Sequence, residues 1–162
     1  MNDHIDTDSG AYLEVQNLVK YFGNDRAVDD ISFSIPKGEF LTLLGPSGCG
    51  KTTTLMSVAG LHSIDSGRIR VGDVVYTSPA EGLFLPPEKR DIGMVFQSYA
   101  IWPHMTVAKN VAYPLEIRKV NQSEIDDRVA EVRALVGLTA EADKLATNLS
   151  GGQQQRASLA RA

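Results

Sequence analysis

Gly45-Pro46-Ser47-Gly48-Cys49-Gly50-Lys51-Thr52 fits the pattern G-x-x-x-x-G-K-[ST] with no departure. Phe40-Leu41-Thr42-Leu43-Leu44 is a short apolar run that predicts a buried strand before it. Thr52 to Ala59 predicts a helix after it, which Gly60 can close. Strand, glycine-rich turn and helix form the context in which this pattern binds phosphate. The residue types explain the chemistry. Glycines let the backbone approach a polyphosphate with no Cβ in the way. Successive N–H groups then point inward, and the helix N-terminus adds partial positive charge. Lys51 supplies a full positive charge for the outer phosphates, and the hydroxyl of Thr52 is placed to ligate Mg²⁺. Cys49 fits the loop as a small residue, and its thiol offers reagents a way to block the site.

A second stretch stands near the end, Leu149-Ser150-Gly151-Gly152-Gln153-Gln154-Gln155-Arg156. It predicts a helix start in which Ser150 caps the N-terminus and Gln153, three residues on, completes a capping box. Gly151 and Gly152 fall in the first turn, where they cost helix propensity. An ordinary capped helix tolerates such glycines. They have a use if an anionic ligand must approach bare N–H groups.

Together, Gly45–Thr52 and Leu149–Arg156 resemble the nucleotide-binding subunit of an ATP-binding cassette transporter, from about Tyr12 to the last residue. Leu-Ser-Gly-Gly-Gln matches that family's signature. The resemblance implies ATP and Mg²⁺ as cofactors, with Gly45, Pro46, Ser47, Gly48, Cys49, Gly50, Lys51, Thr52 and Thr53 around the phosphates. It implies Phe22 stacked on adenine, Gln97 near Mg²⁺ and the attacking water, and Ser150, Gly151, Gly152 and Gln153 facing the γ-phosphate held by an opposite subunit. Lys51, Gln97 and Ser150 are then the expected catalytic residues, with Thr52 and Gln97 on the metal. A homodimer or paired cassette subunit follows. So do transmembrane permease subunits meeting Ser98–Val107, and a peripheral place on the cytoplasmic face of the membrane. Pro86–Gln97 and Trp102-Pro103-His104 are similar to ATPases of importers for ferric iron, polyamines or sugars. The family continues into a strand ending in Asp-Glu and then a histidine. Only 11 residues follow Gly151, so the sequence reads as an N-terminal part, expected to be inactive alone.

Composition agrees with an α/β protein. A length of 162 residues allows a useful core, and 43% hydrophobic with 22% charged residues are ordinary globular values. The net charge of −4 argues against nucleic acid as the main partner. No apolar run approaches the ~20 residues needed to span a bilayer. The start, Met1 to Gly10, lacks the basic and apolar segments of a secretion signal. The single cysteine cannot form an internal disulfide, which suits a reducing cytoplasm.

Along the chain, Tyr12–Val19 and Ala27–Ile35 predict strands, with a turn at Pro36–Glu39. Arg68–Val71 and Val74–Tyr76 predict a hairpin about Gly72-Asp73. Ser78–Glu88, rich in proline, predicts a loop, and Ile92–Phe96 a second buried strand. Thr106 can cap a short helix through Tyr113 that Pro114 interrupts. Ile125, Val129, Val132 and Val136 give one face of a helix over Ser123–Val136, ended by Gly137. The expected fold is therefore α/β. It comprises a flexible tail (1–10), a partial phosphate-loop NTPase core with an antiparallel β portion (11–97), and a helical subdomain with the signature helix (98–162).

Three readings stay open. Phe22 is either a stacking platform or strand packing. Trp102 either faces a partner or is buried locally. The protein is a transport ATPase, a cassette ATPase acting on DNA or ribosomes, or a non-catalytic nucleotide-binding module. His104 is set aside as a catalytic group because it precedes the signature, and His4 and His62 lack metal-ligand spacing.

Overall fold

The computed structural model describes residues 11–162; the tail expected at 1–10 lies outside them. Two compact units emerge, one ending at Ile92 and one running Gly93–Ala162, so the division falls earlier than the boundary expected at Gln97.

The first unit is built on β1 (Ala11–Phe22), β2 (Asp25–Pro36), β3 (Ser66–Val71), β4 (Val74–Ser78) and the short β5 (Leu83–Phe84). They form one antiparallel sheet in the order β2-β1-β3-β4-β5. The hairpin predicted about Gly72-Asp73 is present, with Val71 opposite Val74, and β1 and β2 form a further hairpin, with Phe22 opposite Asp25. The register of β1 slips between Gln16 and Val19, where Asn17 adopts φ 47° and bonds Asp30 across the pair at 2.9 Å. A β-carbon at Gly67 would lie 2.5 Å from the Gln16 and Asn17 carbonyls, so the bulge fits only beside glycine. Val15, Leu18, Val28, Ile64, Ile69 and Tyr76 make the core, joined by Val58 from α1 (Lys51–Val58). Burial of each large aliphatic side chain among them contributes roughly 1.5–3 kcal/mol.

Two expectations fail here. Phe40–Leu44 and Ile92–Phe96 are not strands. Phe40 and Leu44 are 91% and 94% exposed. A strand buried on both faces needs hydrogen-bonded neighbours and cover from its surroundings. Among the described residues no strand pairs with either segment, so the apolar run alone does not make the element.

In the second unit, α2 (Val107–Ile117), α3 (Gln122–Leu135) and α4 (Gly151–Arg161) pack as a helical subdomain. Ile125 and Val129 are the buried pair of the predicted α3 face, and Gly137 closes that helix at φ 64°. Thr106 caps α2 as expected, accepting from Lys109 N at 3.2 Å. Pro114 does not interrupt it. Proline removes one bond, to the carbonyl of Asn110, but the chain recovers with Arg118 N donating to Pro114 O at 3.2 Å. No helix among the described residues is long and apolar enough to cross a membrane.

Candidate functional site

The phosphate loop is set by one close approach. Gly50 stands at φ 90° as the residue before α1, and a β-carbon there would lie 2.4 Å from the Ala27 carbonyl of β2. Gly48 also takes a positive φ, 83°. Both positions therefore demand glycine, for backbone reasons at Gly48 and for backbone and space at Gly50. No side chain caps α1, which leaves its first N–H groups to the loop side. Lys51 Nζ lies over the loop, donating to Gly45 O and Pro46 O at 2.7 Å each and to Cys49 Sγ at 3.4 Å. Pro46, Ser47, Cys49 and Thr52 are exposed. Thr53 is half-buried, its carbonyl accepting from Ser57 Oγ at 2.8 Å.

The other end of α1 is tied down by a residue that the sequence did not mark. Arg90 is buried at 4% exposure, and it donates to Ser57 O (2.9 Å), Val58 O (2.7 Å), Leu85 O (2.8 Å) and Thr77 Oγ1 (2.7 Å). Its guanidinium also lies 5.3 Å from the ring centroids of Tyr76 and Phe84. A cation on the last carbonyls of a helix is favourable for the dipole, and burial lowers the Arg90 pKa from its ordinary value. Arg90 thereby fixes the phosphate-loop helix against β4. An arginine inside Pro86–Asp91 gives no pattern from which this could be read; the contact is made 33 residues away.

Phe22 ends β1 and is 48% exposed. Its ring meets His62 edge-on at 5.3 Å, and Lys20 Nζ lies 5.4 Å from its centroid. Tyr21 is 40% exposed, with Arg26 over its ring. Phe22 is thus outside the core cluster, with about half of its surface exposed.

In the second unit, Ser150 caps α4 with the full capping box: Gln153 N donates to Ser150 Oγ (3.4 Å) and Ser150 N to Gln153 Oε1 (2.9 Å). Gln153 Nε2 also reaches Glu141 Oε1 at 3.3 Å, so this side chain is engaged at both its ends. Gly151 and Gly152 are exposed, and a β-carbon at Gly152 would meet nothing within 4 Å. Gln97 is exposed. The segment after it is shaped by two side chains. Asn110, fully buried, accepts from Trp102 N (2.8 Å) and donates to Trp102 O (3.1 Å). Trp102 is half-buried, 4.3 Å from the Tyr113 ring and under the Arg161 guanidinium at 4.5 Å. Local packing is therefore the state of Trp102, while Ser98, Pro103 and His104 are exposed. A cavity of about 200 Å³ lies between this segment and α4, lined by residues that include Tyr99, Pro103, Thr147 and Gln154.

A family model described as "ABC transporter" matches residues 28–162. The chain belongs to the ABC transporter family. Its relatives include the trehalose/maltose import ATP-binding protein MalK of Thermococcus litoralis, 54% identical over 94% of this chain and 41% of that protein. They include the spermidine/putrescine import ATP-binding proteins of Pseudomonas aeruginosa (48% identical over 93% of this chain, 40% of the relative) and Thermotoga maritima (42%, 94% and 40%). The chain thus spans about two fifths of the length of these ABC relatives. Among the described residues no group of His, Cys, Asp and Glu side chains could hold a metal by itself.

Proposed function

We propose that these residues are the nucleotide-gripping part of an ATPase subunit that couples ATP hydrolysis to solute import. The observation that carries the proposal is the phosphate loop, with glycine demanded at Gly48 and Gly50, no side-chain cap on α1, and the Lys51 ammonium directed over the loop. Such a cradle fits a polyphosphate. Lys51 would exchange its bonds to Gly45 O and Pro46 O for phosphate oxygens, while the loop N–H groups take the remaining acceptors. ATP, when bound, would supply the phosphoryl group, and Mg²⁺ would supply charge neutralisation, with the Thr52 hydroxyl the group of this loop that would hold it. Phe22 would orient the base by stacking, which suits an exposed ring.

Ser150, Gly151 and Gly152 form a second helix start that the chain's own cap leaves open at Gly152. In the proposal they close on nucleotide held by another cassette subunit, in a homodimer or a paired arrangement. Ser98–Val107 is the proposed contact for membrane permease subunits, with the assembly on the cytoplasmic face. Nucleic acid is not an expected partner for a chain of net charge −4. The substrate does not follow from this stretch: relatives named for a neutral disaccharide and for polyamines are 54% and 48% identical to it.

The test uses the full-length protein with its membrane subunits in sealed vesicles. Mg²⁺-dependent ATP turnover, accompanied by uptake of a candidate sugar or polyamine, is the expected result. Tight ATP binding with no turnover in that assembly would overturn the catalytic reading in favour of a binding module.

A further inference from the structure

The backbone just after Gln97 is strained. Tyr99 and Ala100 both occupy the left-handed region, at φ 62° and 49°, and neither is glycine. Consecutive non-glycine residues there persist only where their surroundings over-determine them. A long-range constraint on that turn comes from the last turn of α4. Arg161 donates from Nη1 to Ala100 O at 2.6 Å and lays its guanidinium 4.5 Å from the Trp102 centroid. Tyr113 supports the same indole at 4.3 Å.

The two halves of the segment are held differently. Its later half is fixed by backbone bonds, Val107 N to Lys144 O and Ala146 N to Met105 O, at 3.0 and 3.1 Å. Its earlier half has only short-range backbone bonds of its own, Tyr99 N to Phe96 O and Ala100 N to Ser98 O, and is tied to the helices by side chains, Asn110 on the Trp102 backbone and Arg161 on Ala100 and the indole. Losing the α4 contact would let Tyr99 and Ala100 relax toward ordinary φ and swing the exposed Ser98 end away from the signature helix.

We infer that Arg161 is a positioning residue that latches the strained Tyr99–Ala100 turn to α4, so that the proposed permease-contact segment follows the signature helix when that helix engages nucleotide. This rests on the import-ATPase reading above. An arginine suits the position because its planar fork can bond a carbonyl and cover an indole at once. Lysine can reach the carbonyl but cannot stack flat.

The experiment uses the full-length subunit, free and assembled with its membrane subunits in vesicles. Arg161→Gln is expected to leave the ATPase rate of the free subunit within about twofold while lowering that of the assembly about fivefold, a span ordinary for coupling residues. Arg161→Lys should recover part of the assembly's rate, and it carries the test should Arg161→Gln not fold. In the assembly, Arg161→Gln combined with Trp102→Leu should be no worse than the poorer single variant, because one latch is broken twice. Equal losses in the free and assembled states, or additive losses in the pair, would reduce Arg161 to a general structural role and overturn the inference. An unaffected Arg161→Gln assembly would overturn it too. A wild-type assembly that hydrolyses no ATP overturns the import reading and this inference with it. An active wild type with indifferent variants overturns this inference alone.

Discussion

The starts of α1 and α4 are both glycine-bearing helix N-termini, yet they are finished in opposite ways. At α1 no side chain caps the first turn, glycine stands at a left-handed φ, and the nearest cation, Lys51, bends over the loop. At α4 the first turn is closed by a reciprocal Ser150–Gln153 box, and the glycines lie inside the helix, Gly152 with its Cα face bare and Gly151 beside the Tyr99 hydroxyl. The first start has a glycine loop and a charge of its own, which in the proposed function make an anion cradle. The second carries no cation of its own in its first turn and presents only backbone. In the proposed function the α4 start serves not as a phosphate site of its own but as a second wall for a phosphate already gripped elsewhere.

The largest expected effect breaks the first start. Lys51→Ala in the full-length protein should lower ATP turnover by about a hundredfold or more, as loss of a preorganised charge-stabilising donor does. Turnover is read by phosphate release, and an unchanged rate would remove Lys51 from the site. Ser150→Arg breaks the second start and sharpens the contrast. It should spare ATP binding to the monomer, measured by calorimetry, while blocking nucleotide-driven dimerisation and cutting hydrolysis at least tenfold. Equal loss of monomer binding would mean that the signature serves its own subunit's nucleotide.

The same contrast governs how much could be read from the sequence. The Gly72-Asp73 hairpin and the Ser150–Gln153 capping box are set by contacts between near neighbours, so those residues announce them, while the phosphate loop is announced by its motif although Gly50 is fixed by the distant Ala27 carbonyl. Phe40–Leu44 and Ile92–Phe96 misled because the state of a buried strand is decided by what pairs with it, not by its own apolar run. Pro114 misled in the other direction, since one missing donor is survivable where the following turn closes on Pro114 O. Arg90 and Arg161 were invisible because their partners lie 33 and 61 residues away. Each looks in sequence like any surface arginine. Gln153 was placed by the family motif, but its amide is occupied by the cap and by Glu141.

Gly50→Ala tests whether the loop's shape, apart from its charge, is required. The new methyl would meet Ala27 O and would also sit at φ 90°. Strain of this kind costs about 1–3 kcal/mol. A thermal or denaturant melt should show destabilisation of that size, with weakened ATP binding beside it. Stability and affinity at wild-type values would show that the approach to β2 relaxes freely and that glycine is not demanded there.

The smallest effect decides what Gln153 does. Its Oε1 accepts from Ser150 N and its Nε2 donates to Glu141, so its role in the free protein is to fix the entry of α4. Gln153→Leu keeps the helix propensity of the residue while removing both polar ends. The reciprocal half of the box is lost, but Ser150 Oγ can still accept from the residue 153 N–H. The expected cost is therefore about 0.5–1 kcal/mol of stability, below that of removing Ser150 itself. ATP affinity of the monomer should not change. A glutamine that instead touched nucleotide across a dimer would leave the melt nearly untouched and raise the ATP concentration needed for half-maximal turnover. The two roles thus separate in one variant. A shifted melt with an unshifted ATP dependence assigns Gln153 to the helix start, and the reverse assigns it to the ligand.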